Sequence, residues 1–475
     1  MDTTVGGQQQ GAATGPPAFD AAAVVARLRH TFDGGATRPL PWRQDQLRRL
    51  LRLLTEGEDE LVAALHADMG KPAVEGRLTD LAPVGAEVRA YLRHLAAWAR
   101  PERVRVPLIQ RPGRATVVRE PYGVALVIAP WNYPVHLLLL PMAAALAAGN
   151  CVVAKPSELV PATSAALARL AARHLDPEAV TVVEGGAEET RQLLAQRFDT
   201  IFYTGNARVG RLVMEAAAKH LTPVTLELGG KSPVVVAADA DLEVAARRIA
   251  WGKFMNAGQT CVAPDYVLVD RRVEDELVDR LGASVRAFYG PDPRASGDYA
   301  RIVNERHFDR LAHLLAASAD RVVVGGDTDR ATRYIGPTVL RDVGPDEPVM
   351  EEEIFGPLLP VLPVDDVDEA VAIIGARPKP LALYVFARAR EAIDRVVGGT
   401  SSGGVGVNCT VQHLAVPGLP FGGVGESGMG AYHGRFGFDA FSHRKAVLEK
   451  PTRPDPPIAY PPHTRVKRWI LRQAL

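Results

Sequence analysis

The sequence of 475 residues has no excess of charge of either sign and no long uninterrupted apolar run. Lys and Arg together number 55, as do Asp and Glu, so there is no bulk positive field to attract nucleic acid. The longest apolar stretch, residues 135–148, contains Pro141 and is too short to cross a bilayer. We therefore expect neither a nucleic-acid partner nor a membrane anchor.

Cysteine is also scarce, because the chain has only Cys151, Cys261 and Cys409, which are far apart in the sequence. Their odd number and the lack of CxxC spacing argue against a disulfide framework and against a zinc site. The histidines form neither an H-E-x-x-H motif nor a pair at helical spacing, so we expect no metal. A reducing compartment fits this cysteine usage, and we expect the cytoplasm.

The chain is longer than the size at which single cores stop growing, which predicts two or three domains. Residues 1–17 have no basic start and no apolar core, and they predict a disordered leader that is not a targeting peptide. Apolar residues at three- and four-residue spacing predict a helical region over residues 20–100. Residues 104–107 and 116–119 then predict two paired strands, which are marginal alone and therefore dock elsewhere, for example on another subunit.

Residues 124–220 alternate short apolar strands with helices. One helix between successive strands implies right-handed crossovers and a parallel sheet that is covered on both faces. Such sheets bind ligands at the carboxyl ends of their strands. The predicted strand 200–203 leads through residues 204–210 into a helix, which favours an anion site at the helix N-terminus. A second α/β unit is predicted from residue 232, and the glycine-rich residues 398–437 predict tight turns around a site or interface.

Two segments offer nucleophilic and acid–base chemistry. Residues 256–261 (NAGQTC) place the Cys261 thiol on a small glycine-containing loop, and residues 226–231 (LELGGK) place the Glu227 carboxylate beside two glycines. A thiol can attack a carbonyl and hold the product as a thioester, while a carboxylate can activate the water that releases it. Because buried cysteines are mostly small apolar fillers, neither residue defines a site by itself.

Two shorter motifs favour other interpretations but lack the required context. Residues 423–428 match G-x-G-x-x-G, yet no clear strand precedes them and no βαβ unit follows, which argues against a dinucleotide loop. Residues 399–403 match the hydrolase elbow G-x-S-x-G. A predicted helix at 391–397 precedes them and a predicted strand at 404–408 follows, the reverse of an elbow, so helix capping is favoured.

Taken together, the sequence resembles the aldehyde dehydrogenase superfamily, and specifically its class 3 branch, from about residue 20 to residue 462. The resemblance rests on motifs in the family's order at residues 129–136, 155–158, 203–206, 225–231, 256–261, 353–357, 417–425 and 430–434. It implies an α/β fold with a Rossmann-type parallel-sheet cofactor domain, a second α/β catalytic domain and a small β oligomerisation arm.

The resemblance also implies where the domains lie and how the chain associates. Residues 18–101 and 119–228 would form the dinucleotide-binding domain, and residues 229–411 the domain of the catalytic thiol. Residues 102–118 and 412–450 would form the oligomerisation arm of a homodimer, and residues 451–475 a C-terminal tail.

The activity implied by the resemblance is NAD- or NADP-dependent oxidation of medium- or long-chain aliphatic or aromatic aldehydes to carboxylic acids. The Cys261 thiolate would attack the aldehyde carbon, and the Asn132 amide with the backbone N–H of Cys261 would stabilise the thiohemiacetal oxyanion. After hydride transfer to the nicotinamide, Glu227 would act as general base on the water that hydrolyses the thioester. Transfer of the acyl group to coenzyme A, ester hydrolysis without a nicotinamide, and a catalytically silent oligomer are the alternatives.

The cofactor roles are likewise carried over from the family. Lys155 and Glu158 would lie at the adenosine ribose, Gly205, Asn206 and Gly210 at the pyrophosphate, Leu228 at the carboxamide, and Glu353 with Phe355 at the nicotinamide ribose. The family's phosphate loop usually reads Gly-Ser-Thr-x-x-Gly, but residues 205–210 read Gly-Asn-Ala-Arg-Val-Gly, so two hydroxyl donors are lost and an amide is gained. This departure leaves the individual phosphate contacts open. The choice between NAD and NADP is also open, because Glu158 near the ribose discourages a 2′-phosphate without forbidding it.

Overall fold

The computed structural model describes residues 19–416, 418–455, 457–458 and 460–474. The leader expected at residues 1–17 lies outside the described residues.

Helices and strands follow one another through most of the described chain. The α-helices are, in chain order, α1 (Ala21–Asp33), α2 (Leu40–Glu56), α3 (Glu58–Met69), α4 (Ala73–Gly76), α5 (Ala82–Trp98), α6 (Pro134–Ala148), α7 (Pro161–His174), α8 (Ala187–Leu194), α9 (Ala207–Ala218), α10 (Leu242–Phe254), α11 (Glu274–Tyr289), α12 (Glu305–Ala317), α13 (Val367–Gly375), α14 (Arg390–Gly399), α15 (Gly434–Ala440) and α16 (Arg465–Ala474). The β-strands are β1 (Glu102–Val104), β2 (Arg114–Pro121), β3 (Val124–Ile128), β4 (Cys151–Lys155), β5 (Val180–Val182), β6 (Thr200–Thr204), β7 (Val224–Glu227), β8 (Pro233–Val236), β9 (Tyr266–Asp270), β10 (Val322–Val324), β11 (Thr328–Asp329), β12 (Tyr334–Ile335), β13 (Thr338–Leu340), β14 (Leu358–Val364), β15 (Ala382–Phe386), β16 (Gly404–Val407), β17 (Gly428–Met429) and β18 (Ser442–Glu449).

The first sheet has six strands in the order β17-β7-β6-β3-β4-β5. Strands β7, β6, β3, β4 and β5 are parallel, as the alternation of strands and helices predicts. The short strand β17 comes from the glycine-rich segment and pairs antiparallel with β7, with Gly428 opposite Glu227. The carboxyl ends of β3, β4, β6 and β7 therefore meet along one edge of this sheet.

Both faces of this sheet are buried, as expected of a parallel sheet between helices. Successive residues of a strand point to opposite faces. In β3, Ala125 and Val127 pack into the core that contains α6, whereas Val124, Leu126 and Ile128 pack into a second core with α1. All five β3 residues are buried, which explains why its sequence is uniformly apolar and not alternating.

The second sheet has seven strands in the order β10-β13-β14-β9-β8-β15-β16. All its neighbours are parallel except β10 and β13. The strand β8 and the helix α10 that follows it confirm the predicted second α/β unit, and α10 leads directly to the segment that ends at Cys261.

The two paired strands predicted near residues 104–119 belong to a small antiparallel sheet with the order β1-β2-β18. Strand β18 pairs with β2 over eight positions, from Ser442 opposite Pro121 to Glu449 opposite Arg114. The buried guanidinium of Arg119 binds Asp439 at 2.7 Å and Glu102 at 3.0 Å, and it thereby connects this sheet to α15.

Several elements were not named from the sequence. They include α12 and α13, which lie in the second α/β unit, and β7, which carries Glu227 at its end. Within residues 451–475, expected to form a tail, the structure has the helix α16. No helix of the described part of the chain has the length and apolar character needed to cross a membrane.

Candidate active site

Cys261 lies on a tight turn that follows α10. Asn256 and Ala257 adopt left-handed backbone conformations with φ of 54° and 50°, and Gly258 follows with φ of 74°. A Cβ atom on Gly258 would lie 2.3 Å from the carbonyl oxygen of Gly356, so only glycine fits this close approach. The turn ends the helix and directs the chain back towards the first sheet, where Cys261 remains partly exposed.

Asn132 is buried between the end of β3 and the start of α6. Its side-chain Nδ2 donates a hydrogen bond to the carbonyl oxygen of Gln259 at 3.0 Å. Its own carbonyl oxygen accepts a hydrogen bond from Nδ2 of Asn256 at 2.8 Å. The structure therefore joins the Asn132 segment of the first α/β unit to the Cys261 turn of the second.

Glu227 occupies the last position of β7 and is almost completely buried. Among the described residues, neither of its carboxylate oxygens has a hydrogen-bond partner. Burial holds the pKa of this carboxyl well above its usual range. Two unpartnered buried oxygens are costly, and they are the acceptors that a bound water would satisfy.

The Cys261 thiol has a raised pKa in this arrangement. Burial raises the pKa to about 12, and the carboxylates of Glu353 and Glu227 add to the shift, whereas the N–H groups of Cys261 and Val262 oppose it. Gly258 of the thiol turn closely approaches Gly356, and Glu353 closely approaches Gly229, so the segments of Cys261, Glu353 and Glu227 are neighbours in the structure. With this raised pKa the thiol is mainly protonated at neutral pH.

Glu353 extends into the same region from the loop before β14. A Cβ atom on Gly229 would lie 2.1 Å from its Oε2, so the carboxylate rests directly on the glycine that follows Leu228. Burial and the nearby Asp265 raise the pKa of Glu353 to about 8, and a backbone N–H of Gly230 lowers it in part. Phe355, at a φ of 48°, presents its ring at right angles to Trp131 with the centroids 5.3 Å apart.

The remaining predicted residues lie along the edge of the first sheet. Lys155 ends β4 with a buried side chain, whose Nζ donates to the carbonyl oxygens of Pro156 and Gly185, both at 2.6 Å. Glu158 lies on the turn that follows and is exposed to solvent. Leu228 is buried, and its side chain lies 3.1 Å from a Cβ position on Gly210, close to the first turn of α9.

The departure in the phosphate loop has a structural role. Asn206 is the N-cap of α9, and its Oδ1 accepts a hydrogen bond from the N–H of Val209 at 3.0 Å. Asparagine is among the preferred N-cap residues, so it replaces the capping function of a hydroxyl side chain. Gly205 precedes it, and its N–H binds the carbonyl oxygen of Glu227 at 2.9 Å.

Two features of this edge of the first sheet fit a dinucleotide. The buried hydroxyl of Thr204, immediately before Gly205, has no hydrogen-bond partner among the described residues. The first N–H groups of a helix such as α9 have no partner within the helix and favour an anion. The described residues contain no group of three or more His, Cys, Asp or Glu side chains placed to hold a metal ion.

Three lysines near the site, of which Lys71 and Lys253 are buried, were not identified from the sequence as functional residues. Lys231 forms an ion pair with Asp265 at 2.6 Å, and Asp265 also accepts from the N–H of Ile354 at 3.1 Å, so the pair braces the segment that carries Glu353. Lys253 on α10 has no partner for Nζ among the described residues, and burial lowers its pKa to about 8. Lys71 lies beside Asn132. The position of Lys231 at the end of the 225–231 motif was the available signal.

Two mostly parallel sheets with helices on their faces make this chain an α/β protein of the Rossmann type. The aldehyde dehydrogenase family model matches residues 7–447. Aldehyde dehydrogenase family 3 member H1 of Arabidopsis thaliana is 48% identical over 456 residues, which are 95% of this chain and 94% of that protein. Aldehyde dehydrogenase family 3 member A2 of Rattus norvegicus is 48% identical over 93% of this chain and 92% of its own length.

Solved structures give the same result. Staphylococcus aureus AldH in its substrate-bound state superposes with a TM-score of 0.93 at 42% identity, over 95% of this chain and 98% of that one. The NAD-dependent aldehyde dehydrogenase of Sinorhizobium meliloti superposes with a TM-score of 0.83 at 32% identity, over 92% and 88% of the two chains. The chain belongs to the aldehyde dehydrogenase family and is an oxidoreductase.

Proposed function

We propose that this enzyme oxidises medium- or long-chain aliphatic or aromatic aldehydes to carboxylic acids through an acyl intermediate on Cys261. The proposal rests on the proximity of the segments that carry Asn132, Glu227 and Cys261, which come from different elements of the fold. The ring centroid of Trp131, which precedes Asn132, lies 5.3 Å from that of Phe355 in an edge-to-face arrangement and 5.3 Å from that of His307 in a tilted one. These rings offer an apolar surface, which supports apolar substrates.

In the first step, the Cys261 thiol would release its proton to solvent water, and the thiolate would add to the aldehyde carbon, so that the carbonyl oxygen becomes an oxyanion. The amide of Asn132 and the N–H of Cys261 would donate to that oxygen, and fixed donors of this kind contribute roughly 3 kcal/mol each. When bound, NAD or NADP supplies the acceptor for the hydride that leaves the carbon. The carbon then remains on Cys261 as a thioester.

In the second step, Glu227 would remove a proton from water as its oxygen attacks the thioester, and the Cys261 sulfur leaves. The two unpartnered oxygens of Glu227 support this role, because they are free to accept that water's hydrogen bonds. A carboxyl group with a raised pKa is also a stronger base once it is ionised. The presence of Glu227 favours water over coenzyme A as the acyl acceptor.

The residues that would hold the cofactor follow the edge of the first sheet. Lys155 and Glu158 would bind the adenosine ribose, and Gly205, Asn206 and Gly210 would approach the phosphates. The nicotinamide end would be surrounded by Leu228, Glu353 and Phe355. The exposed carboxylate of Glu158 discourages a 2′-phosphate by charge repulsion, which favours NAD without excluding NADP.

The proposed domains are residues 18–101 with 119–228 for the cofactor, 229–411 for the thiol, and 102–118 with 412–450 for association. The outer strand β18 of the small sheet is mainly exposed, which supports pairing with a second copy as a homodimer. Sedimentation of the purified protein measures this directly, and a monomer at micromolar concentration would contradict it.

A panel of aldehydes offered with NAD and with NADP tests the proposed reaction. We expect NADH or NADPH to form in equal amount with the carboxylic acid, and most rapidly with long-chain or aromatic aldehydes. An ester is assayed in parallel without cofactor, because a thiol hydrolase would cleave it but produce no reduced nicotinamide. Ester cleavage without any aldehyde oxidation would contradict the proposal.

A further inference from the structure

Lys71 and Asp80 form an ion pair that is completely shielded from solvent. Nζ of Lys71 lies 2.7 Å from Oδ2 of Asp80, and both side chains have 0% exposure. The pair joins the turn after α3 to the short π-helical segment Arg77–Leu81. A buried ion pair of this kind is often no more stabilising than apolar residues of similar size, so stability alone is a weak reason for it.

The remaining contacts of Lys71 converge on the residue that would bind the oxyanion. Nζ donates to the carbonyl oxygen of Asn132 at 3.0 Å and lies 4.2 Å from the ring centre of Tyr133. An ammonium group has three donor hydrogens. One hydrogen is directed to Asp80 and one to Asn132, and the cation lies over the ring of Tyr133. Two of the three partners of the Lys71 ammonium group are therefore Asn132 and the residue that follows it.

Asp80 holds the chain on the other side of Asn132. Its Oδ1 accepts from the N–H of Val135 at 3.2 Å and from the N–H of His136 at 3.5 Å, in the first turn of α6. A carboxylate near a helix N-terminus is also favoured by the helix dipole. The ion pair therefore fixes both the carbonyl of residue 132 and the start of the helix that follows it.

The thiol turn uses the same carbonyl. The oxygen of Asn132 accepts from Asn256 as well as from Lys71, which accounts for both of its lone pairs. Two donors hold the peptide plane of Asn132, so the point from which its side chain projects is fixed. The side-chain amide donates to the carbonyl oxygen of Gln259. Loss of the Lys71 donor would leave this peptide held from the thiol turn alone.

We propose that Lys71 and Asp80 are positioning residues, which orient the peptide of Asn132 so that its side-chain amide meets the oxyanion formed at Cys261. This inference rests on the oxyanion role given to Asn132 in the proposed function. The pair touches no reacting atom and acts through Asn132. Errors of about 1 Å in such a group can cost roughly 100-fold in rate.

The test is a double-mutant cycle with the neutral variant K71M/D80N. Methionine keeps the length of the lysine stem, and asparagine keeps an oxygen for the N–H groups of α6. Turnover of aldehyde is measured per molecule of folded enzyme, with the folded fraction taken from circular dichroism. We expect kcat to fall roughly 10- to 100-fold with the KM for NAD unchanged. In the Asn132→Ala background the same pair of changes should cost less than about threefold, because the group it positions is absent.

The partly buried pair of Arg29 and Asp199, on the other face of the first sheet, gives a matched control. Its variant R29M/D199N should have the same small effect in both backgrounds. If K71M/D80N does not fold, Asp80→Asn alone enters the same cycle under the same criteria.

Two results would overturn the inference: an unchanged kcat in the folded variant, or an equal loss with and without Asn132. If Asn132→Ala itself leaves turnover unchanged, the oxyanion role in the proposed function fails instead, which separates the two.

Discussion

The side-chain amide of Asn132 donates to the carbonyl oxygen of Gln259 at 3.0 Å, shortly before Cys261 in the chain. This hydrogen bond crosses between the two α/β units, because Asn132 follows a strand of the first sheet and Gln259 follows a helix of the second. The same amide would bind the oxyanion. The contact therefore aligns donor and thiol before a substrate arrives, which is the preorganisation that electrostatic catalysis requires.

Replacement of Asn132 by alanine should remove one of the two oxyanion donors. We expect kcat for aldehyde oxidation to fall by about 100- to 1000-fold, or roughly 3–4 kcal/mol, while the KM for NAD changes little. Steady-state rates with saturating NAD measure this. The control is the thermal unfolding temperature, since Asn132 is buried, and a folded variant with at least half of the wild-type kcat would contradict the role.

Glu227→Gln should separate the two half-reactions. Because glutamine cannot accept a proton from water, thioester hydrolysis should become slow while hydride transfer persists. We expect a rapid burst of NADH equal to one molecule per enzyme, followed by turnover at least about 100 times slower than that of the wild type. Stopped-flow absorbance resolves the burst. Loss of the burst together with the steady-state rate would place Glu227 in the first step instead.

Sequence patterns predicted the parts of the fold that local periodicity determines. The parallel first sheet was predicted because β3, β4 and β6 are apolar runs that alternate with amphipathic helices. Helix α12 was missed although it is strongly amphipathic, and the four-residue strand β7 was missed as well. The tail region was predicted without its helix α16.

Some residues of the candidate site were likewise found from sequence patterns, and others were not. Cys261 and Glu227 were chosen because their neighbouring residues form recognisable motifs. Lys71 and Asp80 were not chosen, because their contacts with Asn132 and α6 join residues that are more than fifty positions apart in the sequence. Residue spacing gives no information on such contacts. The roles of all the site residues stay predictions until the variants are measured.

Glu353→Gln should change how the thiol responds to pH. The wild-type carboxyl has a pKa of about 8, so its negative charge is present above pH 8 and raises the pKa of Cys261. Glutamine removes that charge. Above pH 8 the variant should therefore hold more thiolate and react up to about tenfold faster with iodoacetamide, which corresponds to one pKa unit.

The control for this prediction is the same reaction near pH 6, where Glu353 is mainly protonated and the two proteins should react at similar rates. Equal rates at every pH would show that Glu353 and Cys261 do not interact electrostatically.

Gly229→Ala should displace Glu353, because the added Cβ would lie 2.1 Å from Oε2 of that carboxylate. Since Glu353 would bind the nicotinamide ribose, we expect the KM for NAD to rise about tenfold, or roughly 1.4 kcal/mol. The matched control is G229A/E353A, in which the space is free. If the alanine at 229 raises the KM equally in the presence and absence of Glu353, the clash is not the cause.

The acyl intermediate on Cys261 is tested most directly by the mass of the acylated enzyme. Glu227→Gln is mixed with an aldehyde and NAD, quenched in acid during the burst, digested and analysed by mass spectrometry, with the double variant E227Q/C409A as a parallel control. We expect one acyl group on the peptide of Cys261 for each NADH formed, in both proteins. NADH formed without an acyl group on Cys261, or an acyl group on Cys151 or Cys409 instead, would contradict it.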